Sequence, residues 1–311
     1  MPRRKRTSAG TDGLLLVDKP AGVSSHDVVA AARRVTGESR IGHGGTLDPF
    51  ATGLLVLLLG RATRLLQYLH DTPKVYEAQV RFGAETDTED LLGAVVAEAP
   101  RPSREVVERA RPSFVGTIAQ VPPAYSAKRV DGQRAYALAR AGHEVELAPV
   151  PIEISELTLQ DFVVDAHGKV EQCQMQVRCG SGTYIRSLAR DLARACGSAA
   201  HLTALRRTAA GAFALTDAVT LEQLRAGTGS VRPALEALSG YPQQALSDAE
   251  LAGVVRGIDV AASVEGRFVA LTTAASRSSA GARTLVAFAE RRAAESGDRF
   301  QPRVVMREAG V

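Results

Sequence analysis

The chain has 311 residues, of which 45% are hydrophobic and 23% charged, a composition typical of a globular protein with one large and one small domain. Its longest apolar run, at 54–59, is far shorter than the ~20 residues that span a bilayer. The basic N-terminus MPRRKRTSAG lacks the apolar segment of a secretion signal. We therefore expect a cytoplasmic protein without a membrane segment, with a disordered basic arm at 1–10.

The charge pattern is compatible with a polyanionic ligand but does not require one. Lys and Arg number 38 against 34 Asp and Glu, which gives a net charge of +4. The arginines cluster in four runs: RRKR (3–6), ARRV (32–35), ALRR (204–207) and ERR (290–292). Such runs either bind phosphates or form a solvated basic surface, and composition leaves both interpretations open.

The three cysteines, Cys173, Cys179 and Cys196, lack the spacing of a metal site. On one strand, Cys173 and Cys179 would lie ~20 Å apart, whereas a disulfide needs α-carbons within about 7 Å. We therefore expect packing roles in a reducing compartment, and we expect neither a metal nor a cofactor.

The first third of the chain predicts buried strands separated by short helices. Residues 13–17 (GLLLV) predict a strand, and Ser24 or Ser25 is placed to cap a helix that runs to Val35. The apolar run at 54–59 precedes an expected helix at 61–70. Residues 75–82 alternate, which predicts a half-buried strand with Tyr76 on its apolar face. A polar loop is expected at 83–93.

The middle of the chain predicts a strand followed by an unusual helix. Residues 169–179 alternate and turn through 180–182 into a helix for which Thr183 is the expected N-cap. Arg186 falls in the first turn, where a cation opposes the helix dipole at a cost of roughly 0.3–1 kcal/mol. That cost indicates a site residue if a carboxylate compensates it. Arg190 and Arg194 share its face, and this stripe suits either phosphates or solvent.

The last third predicts a second, smaller unit. Residues 221–245 carry no clear strand and indicate a boundary, and short apolar runs at 267–271, 284–288 and 303–306 predict a small β-rich domain. Strands and helices mix without a regular βαβ order. The predicted fold class is therefore α+β, with a largely antiparallel mixed sheet flanked by helices.

The segment IGHGGTLDPFATG (41–53) is the strongest candidate for chemistry. Gly44 and Gly45 permit a sharp turn, and Pro49 biases Asp48 toward an extended backbone. Asp48 either accepts hydrogen bonds within its own turn or is presented to a substrate. His43 is either a hydrogen-bonded loop residue or a general base, and the segment alone leaves these alternatives open.

Six blocks in chain order closely resemble the TruB family of bacterial tRNA pseudouridine synthases, which modify the T-loop uridine called position 55. They are LLLVDKPAGVSSHDVV (14–29), RIGHGGTLDPFATGLL (40–55), KVYEAQVRFGAETDTEDLLG (74–93), VPPAYSAKRVDGQRAYALARAG (121–142), CGSGTYIRSLARDLA (179–193) and HLTALRRTAAGAF (201–213). The resemblance implies a pseudouridine synthase catalytic domain at 11–235 with an RNA-binding insertion at about 121–150. It also implies a PUA-like RNA-binding domain at 240–311, and a monomer that binds the T-stem-loop of tRNA.

The resemblance further implies roles for single residues. Asp48 would be the catalytic nucleophile, in an ion pair with Arg186. Tyr76 would stack on the flipped uracil and assist removal of the C5 proton. Tyr184 would line the pocket, and His43 would act in base flipping rather than as an acid or base. An ionised carboxylate and an aromatic face suit this reaction, because it needs a nucleophile and a surface that replaces lost base stacking.

Four further residues are implied with less detail. Lys19 and Leu205 would help build the pocket. Arg64 and Arg129 stand where lysines are common in the family, and both would contact phosphates. Gly44 stands where a threonine is common, which adds backbone freedom beside the site.

Two alternatives remain at this stage. The basic runs also suit an RNA-binding chaperone that opens the tRNA elbow, alone or as a second role, and a pseudouridine synthase of this kind could act on another RNA. The sequence does not choose between addition at C6 and attack or elimination at C1′.

Overall fold

The computed structural model describes residues 11–69, 73–126, 128–130, 133–134, 147–274, 283–295 and 297–306, with the backbone alone described at 129–130 and 133–134. The arm expected at 1–10 and much of the insertion expected at 121–150 lie outside these ranges. None of the helices within the ranges is long and apolar enough to cross a membrane.

The strands of the described residues follow one another along the whole chain. They are β1 Gly13–Lys19, β2 Ile41–His43, β3 Thr52–Leu59, β4 Lys74–Phe82, β5 Ala84–Thr86, β6 Val95–Glu98, β7 Gly116–Gln120, β8 Arg129–Val130, β9 Gln133–Arg134, β10 Val150–Val164, β11 Val170–Cys179, β12 Ala200–Ala210, β13 Phe213–Ala214, β14 Val219–Thr220, β15 Gln243–Leu246, β16 Val260–Ala261, β17 Phe268–Thr273, β18 Leu285–Arg292 and β19 Arg299–Val305.

The helices of the same ranges are short. They are α1 Ser25–Thr36, α2 Leu66–Leu69, α3 Arg104–Ala110, α4 Ile185–Ala195, α5 Leu221–Arg225 and α6 Asp248–Val254. Turns of 3₁₀ helix lie at Gly60–Leu65, Arg111–Phe114, Leu215–Asp217 and Ala234–Leu238.

Ten strands of the described chain form one large sheet. Its order is β14-β1-β3-β12-β4-β11-β10-β7, with β13 paired to β12 and β2 paired to β3. The pairs β1–β14 and β3–β12 are parallel, and the other pairs within the described part of this sheet are antiparallel. This mixed, largely antiparallel sheet with flanking helices confirms the predicted α+β class.

The apolar runs of β1 and β3 are explained by burial on both faces of the sheet. In β3, Leu54 and Val56 face the side that carries the C-terminal sheet, whereas Leu55 and Leu57 pack toward α1. A strand with two covered faces needs no alternation of polar and apolar residues. Strand β4 has one covered apolar face, in which Ala78, Val80 and Phe82 are buried under α3 and α4.

The C-terminal β domain is a five-stranded sheet of order β15-β17-β18-β19-β16. Its Phe288 ring contacts the rings of Tyr68 and Tyr241 at centroid distances of 4.6 and 4.8 Å, in a core that also contains Leu54 of the large sheet. The two sheets therefore share apolar packing. Strand β15 begins in the stretch 221–245, which was expected to lack a strand. One of its buried positions is the polar Gln244, whose amide bonds to Ala261 and Ser263, so the strand shows no run of apolar residues.

Three further local predictions are wrong. The polar loop expected at 83–93 contains β5, which pairs with β6 in a hairpin whose second strand is exposed throughout and so shows no apolar face. The helix expected at 61–70 is a 3₁₀ turn followed by one turn of α2. Thr183 does not cap α4, because its hydroxyl donates back to the carbonyl of Gly180 and Tyr184 occupies the N-cap position.

Candidate active site

Asp48 lies in a turn between β2 and β3, the Asp48 turn (residues 44–51), whose backbone is held by its neighbours. The buried hydroxyl of Ser25, at the start of α1, donates to the carbonyl of Leu47 at 3.1 Å and accepts its N–H at 3.0 Å. On the other side, the N–H of Gly22 donates to the carbonyl of Pro49 at 2.8 Å. These bonds fix the backbone on both sides of Asp48, so its direction does not depend on its own side chain.

Arg207 on β12 supports the same turn from below. Its side chain is fully buried and donates to the carbonyls of Leu54 at 2.7 Å and Gly45 at 3.1 Å. The backbone of β12 also approaches Gly53 so closely that a β-carbon there would lie 2.3 Å from the carbonyl oxygen of Arg207. The arginine run at 204–207 therefore serves the interior at this position, and neither interpretation of it as a phosphate contact or a solvated surface holds for Arg207.

The carboxylate of Asp48 bonds to Arg186 instead of to its own turn. Arg186 Nε donates to Asp48 Oδ2 at 2.8 Å and Nη2 to Oδ1 at 3.2 Å, a bidentate ion pair. The side chain of Asp48 is 33% exposed and that of Arg186 is 5% exposed. A ligand can therefore reach the carboxylate, while its counter-charge stays inside the protein, where charge-assisted bonds are strongest.

Arg186 uses its remaining donors on two backbone carbonyls from different segments. Nη1 donates to Thr88 at 2.7 Å, and Nη2 also donates to Tyr125 at 3.0 Å. The guanidinium is thus bonded on several sides, which compensates its unfavourable position in the first turn of α4. Asp48 is the carboxylate that was expected to compensate the charge of Arg186 at this position.

The other two arginines of the α4 stripe also pair with carboxylates. Arg190 Nη1 bonds to Glu89, and Arg194 bonds to both oxygens of Glu85 at 2.8 and 2.6 Å. Burial raises the pKa of Glu89, while the Arg190 guanidinium acts in the opposite direction. Both readings of the stripe, as a phosphate site or as a solvated face, are wrong for Arg190, which is buried against Glu89.

Two tyrosines lie near the Asp48 carboxylate. Tyr76 is half-buried on β4, directly across from Arg207 on β12, and burial raises the pKa of its phenol while the positive charge of Arg207 opposes the shift. Burial likewise raises the pKa of Tyr184, and the negative charge of Asp48 adds to the shift in both phenols. Both rings therefore remain neutral hydroxyl donors at physiological pH.

The backbone of Tyr184 is fixed by Gln120, a residue that the sequence did not single out. The Gln120 amide accepts the N–H of Tyr184 at 2.9 Å and donates to its carbonyl at 3.0 Å. Gln120 is buried at the end of β7, immediately before the expected insertion. This clamp sets where α4 begins and so where Arg186 lies.

Lys19 is a buried cation beside the Asp48 turn. Its Nζ donates to the carbonyls of Val23 at 2.8 Å, Pro20 at 3.0 Å and Pro49 at 3.4 Å. Burial lowers the pKa of Lys19 to about 8, and attraction to Asp48 partly offsets the shift. The residue therefore joins the end of β1 to the turn.

The remaining predicted site residues are placed as follows. His43 ends β2, with its ring in edge contact with His26 at 5.9 Å. Leu205 is buried in the core that contains Leu47 and Phe50. Arg64 is exposed and donates to the carbonyl of Arg303 in the C-terminal domain at 3.2 Å. The side chain of Arg129 lies outside the described part of the chain.

Sequence reasoning missed the supporting residues Ser25, Glu89, Gln120 and Arg207 as parts of this site. One signal was present, since the acidic segment ETDTED (85–90) offers carboxylates that could pair with the arginines of the α4 stripe, and Glu85 and Glu89 do so. Among the described residues, no group of three or more His, Cys, Asp or Glu is arranged to hold a metal ion. The site offers an accessible carboxylate with two phenols near it, which is suited to nucleophilic or base chemistry on a planar ring.

Comparison with known proteins shows the family to which the chain belongs. A family model described as TruB family pseudouridylate synthase (N terminal domain) matches residues 33–185, and one described as tRNA pseudouridylate synthase B C-terminal domain matches residues 186–256. A tRNA pseudouridine synthase B of Thermobifida fusca is 47% identical over 251 residues, which cover 79% of this chain and 85% of the relative. One of Gloeobacter violaceus is 49% identical over 219 residues, covering 70% and 74%.

Solved structures share the fold at lower identity. An H/ACA RNP bound to a substrate RNA containing 2′-deoxyuridine matches with a TM-score of 0.68 and 22% identity, covering 96% of this chain and 86% of that one. A Cbf5-Nop10-Gar1 complex matches with a TM-score of 0.67 and 24% identity, covering 96% and 85%. The matched models and the relatives leave one conclusion: the chain belongs to the TruB family of pseudouridylate synthases.

Proposed function

We propose that this chain converts uridine 55 in the T-loop of tRNA to pseudouridine, with Asp48 as the nucleophile. The observation that carries the proposal is the accessible Asp48 carboxylate in a bidentate bond from the buried Arg186. Relatives at 46–49% identity that are named tRNA pseudouridine synthase B support the choice of tRNA.

The reaction is an isomerisation, so its atoms balance without a donor or a redox partner. The bond from uracil N1 to C1′ of the ribose breaks, the ring turns, and a bond forms from C5 to C1′. C5 loses a proton and N1 gains one. The Asp48 carboxylate attacks C6 or C1′, or removes a sugar proton, and each route uses the carboxylate that Arg186 holds in a bidentate ion pair.

The two phenols and the turn have complementary roles in this proposal. Extrusion of a stacked base costs a few kcal/mol, and Tyr76 restores stacking on one face of the uracil and assists loss of the C5 proton. Tyr184 lines the pocket, Leu205 and Lys19 shape its floor, and His43 acts as the base leaves its loop. These contacts act on a splayed loop base, which is how RNA is read in sequence-specific recognition.

The rest of the molecule holds the RNA. We propose a catalytic unit at 11–235 and an RNA-binding C-terminal domain at 240–311, joined in a cytoplasmic monomer. Arg64, at the junction of the two sheets, and Arg129, in the insertion, contact phosphates, which position the RNA without reading its sequence.

An unmodified T-arm stem-loop tests the proposal directly. We expect pseudouridine at the T-loop uridine after incubation with the protein, mapped by chemical modification and reverse transcription. Asp48→Asn should bind the stem-loop with unchanged affinity and lose turnover. Asp165→Asn is the matched control, since Asp165 also lies in a turn and accepts backbone N–H bonds, from His167 and Lys169.

Three results would contradict parts of the proposal. Absence of product at the T-loop uridine, with product on another RNA, would reject the proposed substrate. Substantial turnover by Asp48→Asn would reject Asp48 as nucleophile. An equal loss in Asp165→Asn would show that the effect of Asp48→Asn reflects folding rather than chemistry.

A further inference from the structure

The three ion pairs of α4 differ in what they contact. Arg186 donates to backbone carbonyls of two segments, at Thr88 and at Tyr125. One helical turn later, Arg190 touches the same two segments: Nη1 bonds to Glu89 and Nη2 donates to the carbonyl of Val121 at 2.9 Å. Each arginine therefore joins the residues 86–90 to the residues 121–126.

The Glu89–Arg190 pair is enclosed on both sides. The exposed fractions of the Arg190 and Glu89 side chains are 9% and 10%. The second oxygen of Glu89 accepts the hydroxyl of Ser187 at 2.8 Å, so both carboxylate oxygens bond to α4. Because both oxygens of Glu89 bond to α4, the Glu89 side chain fixes the distance between the residues 86–90 and α4.

The backbone of Glu89 is also constrained. Its φ is 60°, the left-handed region, which costs a residue with a β-carbon roughly 1–2 kcal/mol. Its carbonyl accepts the N–H of Leu202 on β12 at 3.1 Å. Such a conformation persists where the surroundings hold it, and it frequently accompanies functional sites. The carbonyl of Thr88, one residue earlier, is thereby aimed at Arg186.

We propose that Glu89 and Arg190 are positioning residues for the reaction at Asp48, an inference that rests on the proposed function. Their pair holds the residues 86–90 and 121–126 against α4, so that both carbonyl partners of Arg186 stay in place and Arg186 presents the Asp48 carboxylate. Neither residue touches the reacting base. Loss of the pair therefore lowers kcat and leaves KM for RNA nearly unchanged.

The chain contains a matched control one turn further along α4. Arg194 also pairs with a carboxylate, bonding to both oxygens of Glu85, but its side chain is 59% exposed. Its bonds reach Glu85, not the carbonyls at 121 or 88. A general effect of breaking an ion pair on this helix would appear at both pairs, whereas positioning of Arg186 would appear only at Glu89–Arg190.

The experiment compares Glu89→Gln with Glu85→Gln in the full-length protein, on the T-arm stem-loop. We expect kcat to fall about tenfold in Glu89→Gln with KM changed less than about twofold, and both constants to stay within about twofold in Glu85→Gln. Arg190→Lys keeps a positive charge toward Glu89 but loses the fork that reaches Val121, and it replaces Glu89→Gln if that variant does not fold. We expect the same split of kcat from KM.

Hydrogen exchange supplies a readout that does not need turnover. Amides in 86–90 and 121–126 should exchange faster in Glu89→Gln than in wild type, with no such change in Glu85→Gln. Equal kcat in the two Gln variants, or equal exchange, would overturn the positioning role. A wild type that modifies no RNA would overturn the proposed function, and exchange would then still decide whether Glu89 holds the two segments.

Discussion

Two regions meet at the Asp48–Arg186 pair, and they are held by different forces. The Asp48 turn is fixed mainly by hydrogen bonds to its backbone, from Ser25 and Arg207 among others. The acidic hairpin (residues 84–98) pairs with α4 through Glu85 and Glu89, and of these only the buried Glu89 adjoins the Thr88 carbonyl to which Arg186 donates. The conformation of the turn thus depends on hydrogen bonds to its backbone, and the position of the hairpin depends on ion pairs. Arg186 and Asp48 are therefore positioned by both kinds of interaction: backbone hydrogen bonds hold the turn that carries Asp48, and an ion pair holds the hairpin that contacts Arg186.

The largest expected effect comes from Arg186, the residue that both regions share. Arg186→Met leaves the Asp48 carboxylate and the carbonyls of Thr88 and Tyr125 without their donor. We expect a loss of roughly 3–5 kcal/mol in the free energy of unfolding, measured in urea, together with loss of turnover. Arg178→Met, which removes an exposed pair with Glu156 at 3.8 Å, should cost at most about 1 kcal/mol. A similar loss of unfolding free energy in both variants would contradict the expectation that the buried ion pair matters more for stability than the exposed one.

The Asp48 turn should be sensitive to shape at one glycine and tolerant at another. Gly53 has a φ of 103°, and an added β-carbon would meet the backbone of Arg207 at 2.3 Å. Gly53→Ala should therefore lose roughly 2–5 kcal/mol of stability, from left-handed strain and overpacking. At Gly44 the same atom meets Val56 at 3.8 Å, an ordinary contact. Gly44→Ala should be neutral or stabilising by about 0.4–1 kcal/mol, and equal losses in the two urea curves would refute this account.

The cation that supports the turn predicts a pH dependence. The pKa of Lys19 is about 8 in the folded protein and about 10.4 in an unfolded chain. Between these values the unfolded chain binds more protons, so Lys19 makes stability rise with pH by about 3 kcal/mol in total. Burial raises the pKa of Tyr76 and Cys173, which act in the opposite direction. The difference between wild type and Lys19→Met, followed from pH 7 to 11, isolates the contribution of Lys19.

That difference should grow in favour of wild type as the pH rises through 8. A difference that stays constant with pH would show that the pKa of Lys19 is the same in the folded and unfolded protein, and would reject desolvation as the dominant influence on it.

The smallest expected effect separates two neighbouring serines. Ser25→Ala removes both hydrogen bonds to Leu47, so the buried N–H and carbonyl of Leu47 lose the Ser25 hydroxyl as a partner. We expect this to lower the free energy of unfolding by about 1–3 kcal/mol. Ser24→Ala removes the capping box of α1 with Asp27, at a cost of about 1 kcal/mol. Only Ser25→Ala should also lower kcat, because only Ser25 contacts the Asp48 turn. Equal kcat in the two variants would show that the turn holds Asp48 without Ser25.

Sequence patterns predicted those parts of the site that are encoded locally. The glycines and Pro49 indicated a sharp turn around Asp48, alternation placed Tyr76 on the covered face of β4, and helical spacing placed Arg186 in the first turn of α4. The supporting residues were harder to predict because their partners are distant in the chain. Ser187 lies 98 residues from Glu89, and Arg207 lies 162 residues from Gly45.

The sequence by itself therefore determined the strands, the turn and the helix that carry Asp48, Tyr76 and Arg186, since periodicity and turn chemistry act over a few residues. Only the tertiary structure decided what the charges do. The position of β12 between β3 and β4 brings Arg207 beneath the Asp48 turn, and the folding of the acidic hairpin onto α4 pairs Arg190 with Glu89 and Arg194 with Glu85. A charge is solvated or paired according to its neighbours in space, and the order of strands in a sheet sets those neighbours.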